Sequence, residues 1–381
     1  MSAVDGMHES LAAATEEQPA ARAALAAALA AGPAHAYALI GPAGSGKRAV
    51  ARAFAAELLA TGAGEPEDAR RRALAAPSPH PDLTWVQPPG NQHLIDEIRG
   101  RVIGAISYRP FEGERSVYVI EAADALAEES QNALLKTLEE PPPYAHLLLI
   151  SSEPEALLET VRSRCQTVRF TALRRRLIEQ RLAAERDLPP GTATALAALA
   201  DGDLDRARFL ASDPGIRLRE LSERCCRAAR AGRLEERPWT ELLGQAAEIG
   251  EQRAAEVEHA AAARAEQLGK GREADRIRRE GAEAAKRAAR RERTEAIDAA
   301  LSLCAAWFTD LLAHAEGAAE LARNADRAAE LAADSGGIDP GAARQAAERA
   351  METRRRLTVN VNEELALDAL FHRIASTLGE S

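Results

Sequence analysis

The sequence predicts an α/β domain built on a mostly parallel sheet, then a small helical domain, then an all-α domain carrying a long helical hairpin. Three observations carry this. Apolar stretches of strand length alternate with amphipathic helical stretches through the first part of the chain. The β signal stops after Phe170, and the remainder is alanine-rich and runs at helical period. A length of 381 residues suits two or three domains. With 46% hydrophobic residues but only 3% aromatic, the cores are helical and hold few large rings, and disorder over the whole chain is not expected.

In chain order, Ala36–Ile40, Leu83–Val86, Val117–Ile120, Leu147–Ser151 and Thr167–Phe170 read as strands, most of them separated by long amphipathic segments. They define a first domain over 1–171. Leu173–Leu182 and Ala193–Ala200 are short helical patterns broken by Pro189-Pro190-Gly191, which places a small helical domain over 172–214, ending near Asp213-Pro214-Gly215. The helical remainder, 215–381, contains an arm at about 248–292. Its residues 251–290 hold ten Lys/Arg and eight Asp/Glu among many alanines, a composition that makes good exposed helix and a poor core. Two antiparallel helices turning near Gly269-Lys270-Gly271 are expected. They read either as a solvated helix pair, the commoner outcome for such charge runs, or as a partner- or nucleic-acid-binding arm. Ala296–Leu312, with Trp307 and Phe308, and Leu357–Ile374 return to core composition, and Ser335–Pro340 is a loop.

The formal net charge of -10 argues against indiscriminate polyanion binding while leaving room for a local basic groove. No run reaches the ~18–20 uncharged apolar residues of a membrane span, and Met1–Asp5 lack the basic start of a signal peptide, so a cytoplasmic protein without membrane contact is expected. Cys165, Cys225, Cys226 and Cys304 form no CxxC pair; reduced thiols, with neither disulfide nor zinc site, are expected.

Chemistry concentrates in Gly41-Pro42-Ala43-Gly44-Ser45-Gly46-Lys47-Arg48, a GxxxxGK loop between a strand and a helix. Its glycines let backbone N–H groups wrap a phosphate at a helix N-terminus, and Lys47 adds charge. The full motif ends in Ser or Thr, whose hydroxyl binds magnesium. Arg48 stands there instead and cannot ligate a cation. Glu121 closes the acidic partner strand, but the neighbouring position, where a second carboxylate would orient water, is Ala122; Asp124 reads as a helix cap. Gly41, Gly44, Ser45, Gly46, Lys47 and Arg48 therefore line a degenerate nucleotide site, able to hold the diphosphate of ATP or ADP without a metal and without hydrolysis. No cofactor is required.

Asn132-Ala133-Leu134-Leu135-Lys136-Thr137-Leu138-Glu139-Glu140-Pro141, Leu147–Ser152, Ser163-Arg164-Cys165 and the terminal Leu357-Thr358-Val359-Asn360-Val361-Asn362 resemble the subunits of bacterial clamp loaders, with their AAA+ core, helical lid and collar. The resemblance covers most of the chain apart from the arm and the amino terminus. It implies a ring of δ, three τ/γ copies and one non-hydrolysing stator that loads the sliding clamp on primed DNA, and the degenerate loop points to the stator. It further implies that Arg164 acts as an arginine finger in the ATP site of a neighbour, with Arg162 outside the triplet. Ser151 and Ser152 correspond to the sensor-1 position. Arg206, in Gly202-Asp203-Leu204-Asp205-Arg206-Ala207, corresponds to the sensor-2 arginine that could face a phosphate. The family's four zinc cysteines are absent from Thr61–Pro79, lone His80 and His93 cannot replace them, and Gly62–Pro79 is expected to hold by packing alone. Alternatives are an active τ/γ-like ATPase, against which Arg48 and Ala122 speak, and a coiled-coil adaptor built on the arm. Direct DNA binding by the lone subunit is expected to be weak.

Overall fold

A computed structural model describes residues 7–75, 79–88, 92–267, 269, 271–357 and 362–379. The chain divides into two compact units, Met1–Leu173 and Arg174–Ser381. The first contains α1 (Glu9–Ala14), α2 (Pro19–Ala31), β1 (Ala36–Ile40), α3 (Lys47–Ala60), α4 (Pro66–Leu74), β2 (Leu83–Val86), α5 (Ile95–Ile98), β3 (Ser116–Ile120), α6 (Glu128–Glu139), β4 (Ala145–Ser151), α7 (Glu159–Arg162) and β5 (Gln166–Arg169). All five strands fall where expected, with ends shifted by at most two residues. They form one parallel sheet in the order β2-β3-β4-β1-β5, with Ile40 beside Ser151 and Val117 beside His146.

Parallel strands covered by helices on both faces are buried throughout, and every residue of β1, β3 and β4 is. Side chains alternate between two cores. Val117 and Val119 join Tyr37, Leu39 and Phe54 on one face; Tyr118 and Ile120 join Leu134, Leu147 and Leu149 on the other. Tyr37 meets the Phe54 ring edge-on at 5.0 Å.

The expectation that Gly62–Pro79 holds by packing alone needs correcting. Ala69 and Ala73 are buried, but arginines also anchor α4. Arg70 Nε donates to Glu57 Oε1 at 2.9 Å, Arg72 pairs with Asp68 and Glu112, and Arg52 Nη1 reaches the Ala75 carbonyl at 2.7 Å. Small alanines offer little apolar area, so charge takes over where bulk is missing. Residues 76–78 lie outside the described residues.

The second unit is helical: α8 (Arg175–Glu185), α9 (Thr192–Leu199), α10 (Leu204–Leu210), α11 (Asp213–Arg230), α12 (Trp239–Gln267), α13 (Arg272–Ala315), α14 (Ala328–Ser335), α15 (Pro340–Leu357) and α16 (Glu363–Gly379). The segments expected as lid and collar lie together in this unit, and the boundary at 214 falls in the first turn of α11. Trp239, Trp307, Phe308, Phe371 and Ile374 share its core, and Trp239 stacks on Phe371 at 5.5 Å. Beside them Arg219, itself buried, donates to Asp326 at 2.6 and 2.8 Å and to Asn324 at 2.8 Å. The apolar part of α13 is long and apolar enough to cross a membrane by length and composition, because isolated charges such as Asp298 and Asp310 do not break it; 72% of that window is buried inside the molecule. The Leu357–Asn362 motif lies mostly outside the described residues.

Residues 248–267 and 272–292 form the expected antiparallel pair, from the end of α12 and the start of α13, each leg about 30 Å long at ~1.5 Å per residue. Their seam consists of small residues. A Cβ on Gly281 would stand 2.3 Å from the Ala261 Cβ, and one on Gly250 2.5 Å from the Ala289 carbonyl oxygen. Backbones approach this closely only where side chains are nearly absent. Lys270 of the turn lies outside the described residues.

Candidate functional site

The phosphate loop leaves β1 and enters α3 through backbone that only glycine adopts without strain: Gly44 has φ 61° and Gly46 φ 88°. Gly41 is needed for space as well, since a Cβ there would stand 2.4 Å from the Phe170 carbonyl oxygen. Ser45 Oγ donates to the Pro42 carbonyl at 2.7 Å. Lys47 is buried, and its Nζ donates to the carbonyls of Gly41, at 2.6 Å, and Pro42. A phosphate entering the loop must win this ammonium from the loop's own oxygens.

Arg48 and Glu121 meet. Arg48 Nε stands 3.1 Å from Glu121 Oε1, while Glu121 Oε2 accepts from Trp85 Nε1 at 2.9 Å and Gln87 Nε2 at 2.7 Å. The carboxylate that would hold magnesium through water is thus committed to three donors, one of them a resident cation. The Arg52 guanidinium lies 4.3 Å over the Trp85 ring. Burial pushes its pKa down and the neighbouring Arg48 adds to this, with Glu121 opposing. Ala122 has φ 50° and ψ 54°, the left-handed region that costs an L-residue about 1–2 kcal/mol.

Asp124 is not the expected helix cap. It lies in a single 3₁₀ turn, Ala123–Ala125, and α6 begins only at Glu128, out of its reach. Its Oδ1 instead accepts from the Ser152 N–H at 3.0 Å, tying the end of β4 to the acidic strand. Ser152 is exposed; Ser151 is buried, and its Oγ has no hydrogen-bond partner among the described residues. The Gly41 N–H donates to the Ser151 carbonyl at 3.3 Å, which puts that hydroxyl's residue beside the loop.

Arg164 follows α7 at the surface. Its Nη1 donates to the Thr160 carbonyl at 2.9 Å and its Nη2 to Glu139 Oε1 at 2.7 Å, so the ion pair joins the Ser163–Cys165 triplet to the Asn132–Pro141 motif. Arg162 pairs separately with Glu155 at 3.3 Å. Arg206 belongs to the second unit, where Asp203 caps its helix by accepting the Arg206 N–H at 2.8 Å. Burial lowers the Arg206 pKa, Arg354 adds to this, and Asp298 and Asp203 oppose it.

Among the described residues no group of three or more His, Cys, Asp or Glu is placed to hold a metal. His80 Nδ1 accepts from the Asp82 N–H at 3.2 Å, and His93 Nε2 stands 2.8 Å from the Glu121 carbonyl. Both are structural contacts. Cys165 is the half-buried thiol of the four, and burial pushes its pKa up to about 12.

Some supporting residues gave no signal in the sequence. Gln18 Nε2 donates to the carbonyls of Ser45, at 3.0 Å, and Thr171, at 2.8 Å, latching the phosphate loop to the end of the sheet. Trp85 and Gln87 orient Glu121 from a neighbouring strand. All act across sequence gaps that local pattern cannot bridge.

Residues 17–174 match the family described as DNA polymerase III, delta subunit. The chain is 42% identical over 137 residues to the DNA polymerase III subunit delta' of Pseudomonas aeruginosa, covering 35% of this chain and 42% of that one. It is 36% identical over 165 residues to the subunit delta' of Bacillus subtilis, covering 43% and 50%. Over 155 residues it is 35% identical to the subunit tau/gamma of Haemophilus influenzae, covering 39% and 22%. The chain thus spans half or less of the curated relatives it matches.

Proposed function

We propose that the chain is the non-hydrolysing, δ′-type member of a DNA polymerase III clamp-loader complex, a reading supported by the match of residues 17–174 to the DNA polymerase III delta-subunit family and by the likeness to two subunits delta'. In this reading it assembles with δ and τ/γ subunits, takes part in loading the sliding clamp on primed DNA, and lends Arg164 to the ATP site of a neighbour. The observation that carries the non-hydrolysing role is the Arg48–Glu121 pair: a guanidinium fills the place of the metal ligand and engages the metal's carboxylate, while Ala122 supplies no base. ATP or ADP would bind through Gly41, Gly44, Ser45, Gly46 and Lys47 without magnesium.

Phosphoryl transfer spreads negative charge over the γ-phosphate oxygens, and a guanidinium brought in from outside stabilises it. Arg164 is suited to this because the contacts it must give up are both at the surface, a hydrogen bond to the Thr160 carbonyl and a pair with Glu139 that is worth about 1 kcal/mol or less. The test is clamp- and DNA-stimulated ATPase of the reconstituted cognate complex with Arg164→Ala, assembly being followed by size-exclusion chromatography. A finger supplies ~10³–10⁵ at a single site, so with one of three τ/γ sites silenced, stimulated turnover should fall by at least about a third with the complex intact. Unchanged turnover would make Arg164 structural. The likeness to a tau/gamma subunit supports a second reading, an active ATPase. Magnesium-dependent turnover by the pure chain would establish it in place of the first.

A further inference from the structure

The arm is electrically polarised. Along α13, residues 272–293 carry nine basic and five acidic side chains, whereas along α12, residues 248–267 carry five acidic and two basic. At about 100° per residue, Arg272, Arg276, Arg279, Lys286 and Arg290 fall within about 40° of one line along α13. All five are exposed. Ala274, Gly281 and Ala285, the buried residues of that stretch, fall within about 40° of the opposite line. The small-residue seam therefore turns the five cations to solvent, on the side away from the acidic helix, over a rise of about 27 Å. Glu283 is the acid within the same arc and pairs with Lys286 at 3.0 Å; Arg276 pairs with Glu280 at 3.2 Å. Both are exposed pairs that a stronger anion displaces at little cost.

We propose that this face of α13 binds the phosphate backbone of nucleic acid, giving the chain a DNA-tracking arm in addition to its place in a clamp loader. Charge complementarity and the absence of an apolar anchor carry the choice of partner. A protein interface needs a buried core of apolar or aromatic side chains. The exposed large apolar residues among those described are Leu94, Tyr108, Phe111, Ile216, Leu321 and Leu365, all outside the arm. A row of four guanidiniums and one ammonium without apolar residues among them suits phosphate oxygens, which an arginine can engage with two parallel hydrogen bonds. Contacts of this kind position a protein on DNA without reading its sequence. The overall negative charge keeps the interaction weak at physiological salt, and the stripe makes it steeply salt-dependent.

The test is fluorescence anisotropy of a short labelled DNA duplex titrated with the full chain. For five neutralised phosphates, log K should fall against log salt with a slope of about −4.5, roughly 500-fold between 50 and 200 mM. The variant with Arg272→Gln, Arg276→Gln, Arg279→Gln, Lys286→Gln and Arg290→Gln should lose both the low-salt binding and the slope. Glutamine is a good helix former, and circular dichroism verifies that the arm stays helical. A control with Arg174→Gln, Arg175→Gln and Arg176→Gln, exposed on another helix, should bind as the unaltered chain does. No binding at low salt would overturn the proposal, as would equal losses in the two variants, or displacement of the duplex by polyglutamate at equal charge concentration. Clamp-loader ATPase does not enter the assay, so the proposal fails or stands apart from that function.

Discussion

Replacing Arg48 with threonine tests whether this arginine stands in for a metal. The substitution supplies the missing hydroxyl and frees Glu121 Oε1, which now faces the Arg48 guanidinium at 3.1 Å. The cost to folding is small: Arg48 is more than half exposed, and such a pair contributes about 1 kcal/mol or less. Trp85 and Gln87 still satisfy the other carboxylate oxygen. Without nucleotide the melting temperature should therefore drop by no more than about 2–4 °C, the shift that 1 kcal/mol produces in a unit of this size. With ADP at about 100 times its dissociation constant, binding adds about 2.7 kcal/mol. Adding magnesium to ADP should then raise the melting temperature of the variant by about 5–10 °C and leave the unaltered chain unmoved. Differential scanning fluorimetry with ADP, in magnesium or in EDTA, measures all four states. A magnesium-dependent shift in the unaltered chain, or none in the variant, would refute the idea that Arg48 occupies the role of the cation. The variant should still not hydrolyse ATP, because Ala122 supplies no carboxylate.

Strain and burial give two further outcomes. Ala122→Gly relieves a left-handed alanine at a cost in unfolded-state entropy, so urea denaturation should show stability unchanged or raised by up to about 1 kcal/mol; a loss of more than that would mean the alanine methyl packs usefully. His80 and His146 are both buried with pKa values pushed below the ordinary 6.5 by desolvation, so the unfolded chain takes up protons first on acidification. Stability should be flat above about pH 6.5 and fall as pH drops below it towards the depressed folded values. Substituting His146→Asn, which can still donate to the Ala34 carbonyl, should flatten that fall in a urea series; an unchanged pH profile would remove His146 from the account.

Much of the fold is legible in the sequence because its signals are local. Five strands appear as apolar runs punctuated by loop residues, and the structure moves their ends by two residues at most. The arm is legible from its charge density and its glycine-bounded turn. Asp124 misleads for the same reason: an acidic residue shortly before a helix looks like a cap, yet one 3₁₀ turn takes it out of range and hands it to Ser152, just past the end of β4. Gly62–Pro79 shows the reverse error, since its arginines find acids at positions 57 and 112 that no local window contains.

Residue order alone establishes the strand-loop-helix phosphate motif, the substitution of Arg48 for a metal ligand, the missing carboxylate at Ala122 and the helical character of the chain after Phe170. Each depends on residue identity, on backbone preferences within a few positions, or on hydrophobic period. Folding in three dimensions was required to show that Arg48 closes on Glu121, that Arg164 pairs with Glu139, that Gln18 latches the phosphate loop, and that the cations of α13 share the face away from α12. These are encounters between side chains brought together by parallel crossovers and by a seam of glycine and alanine. Short-range pattern carries no information about them, because the energy of each contact depends on the partner that folding places within about 3 Å.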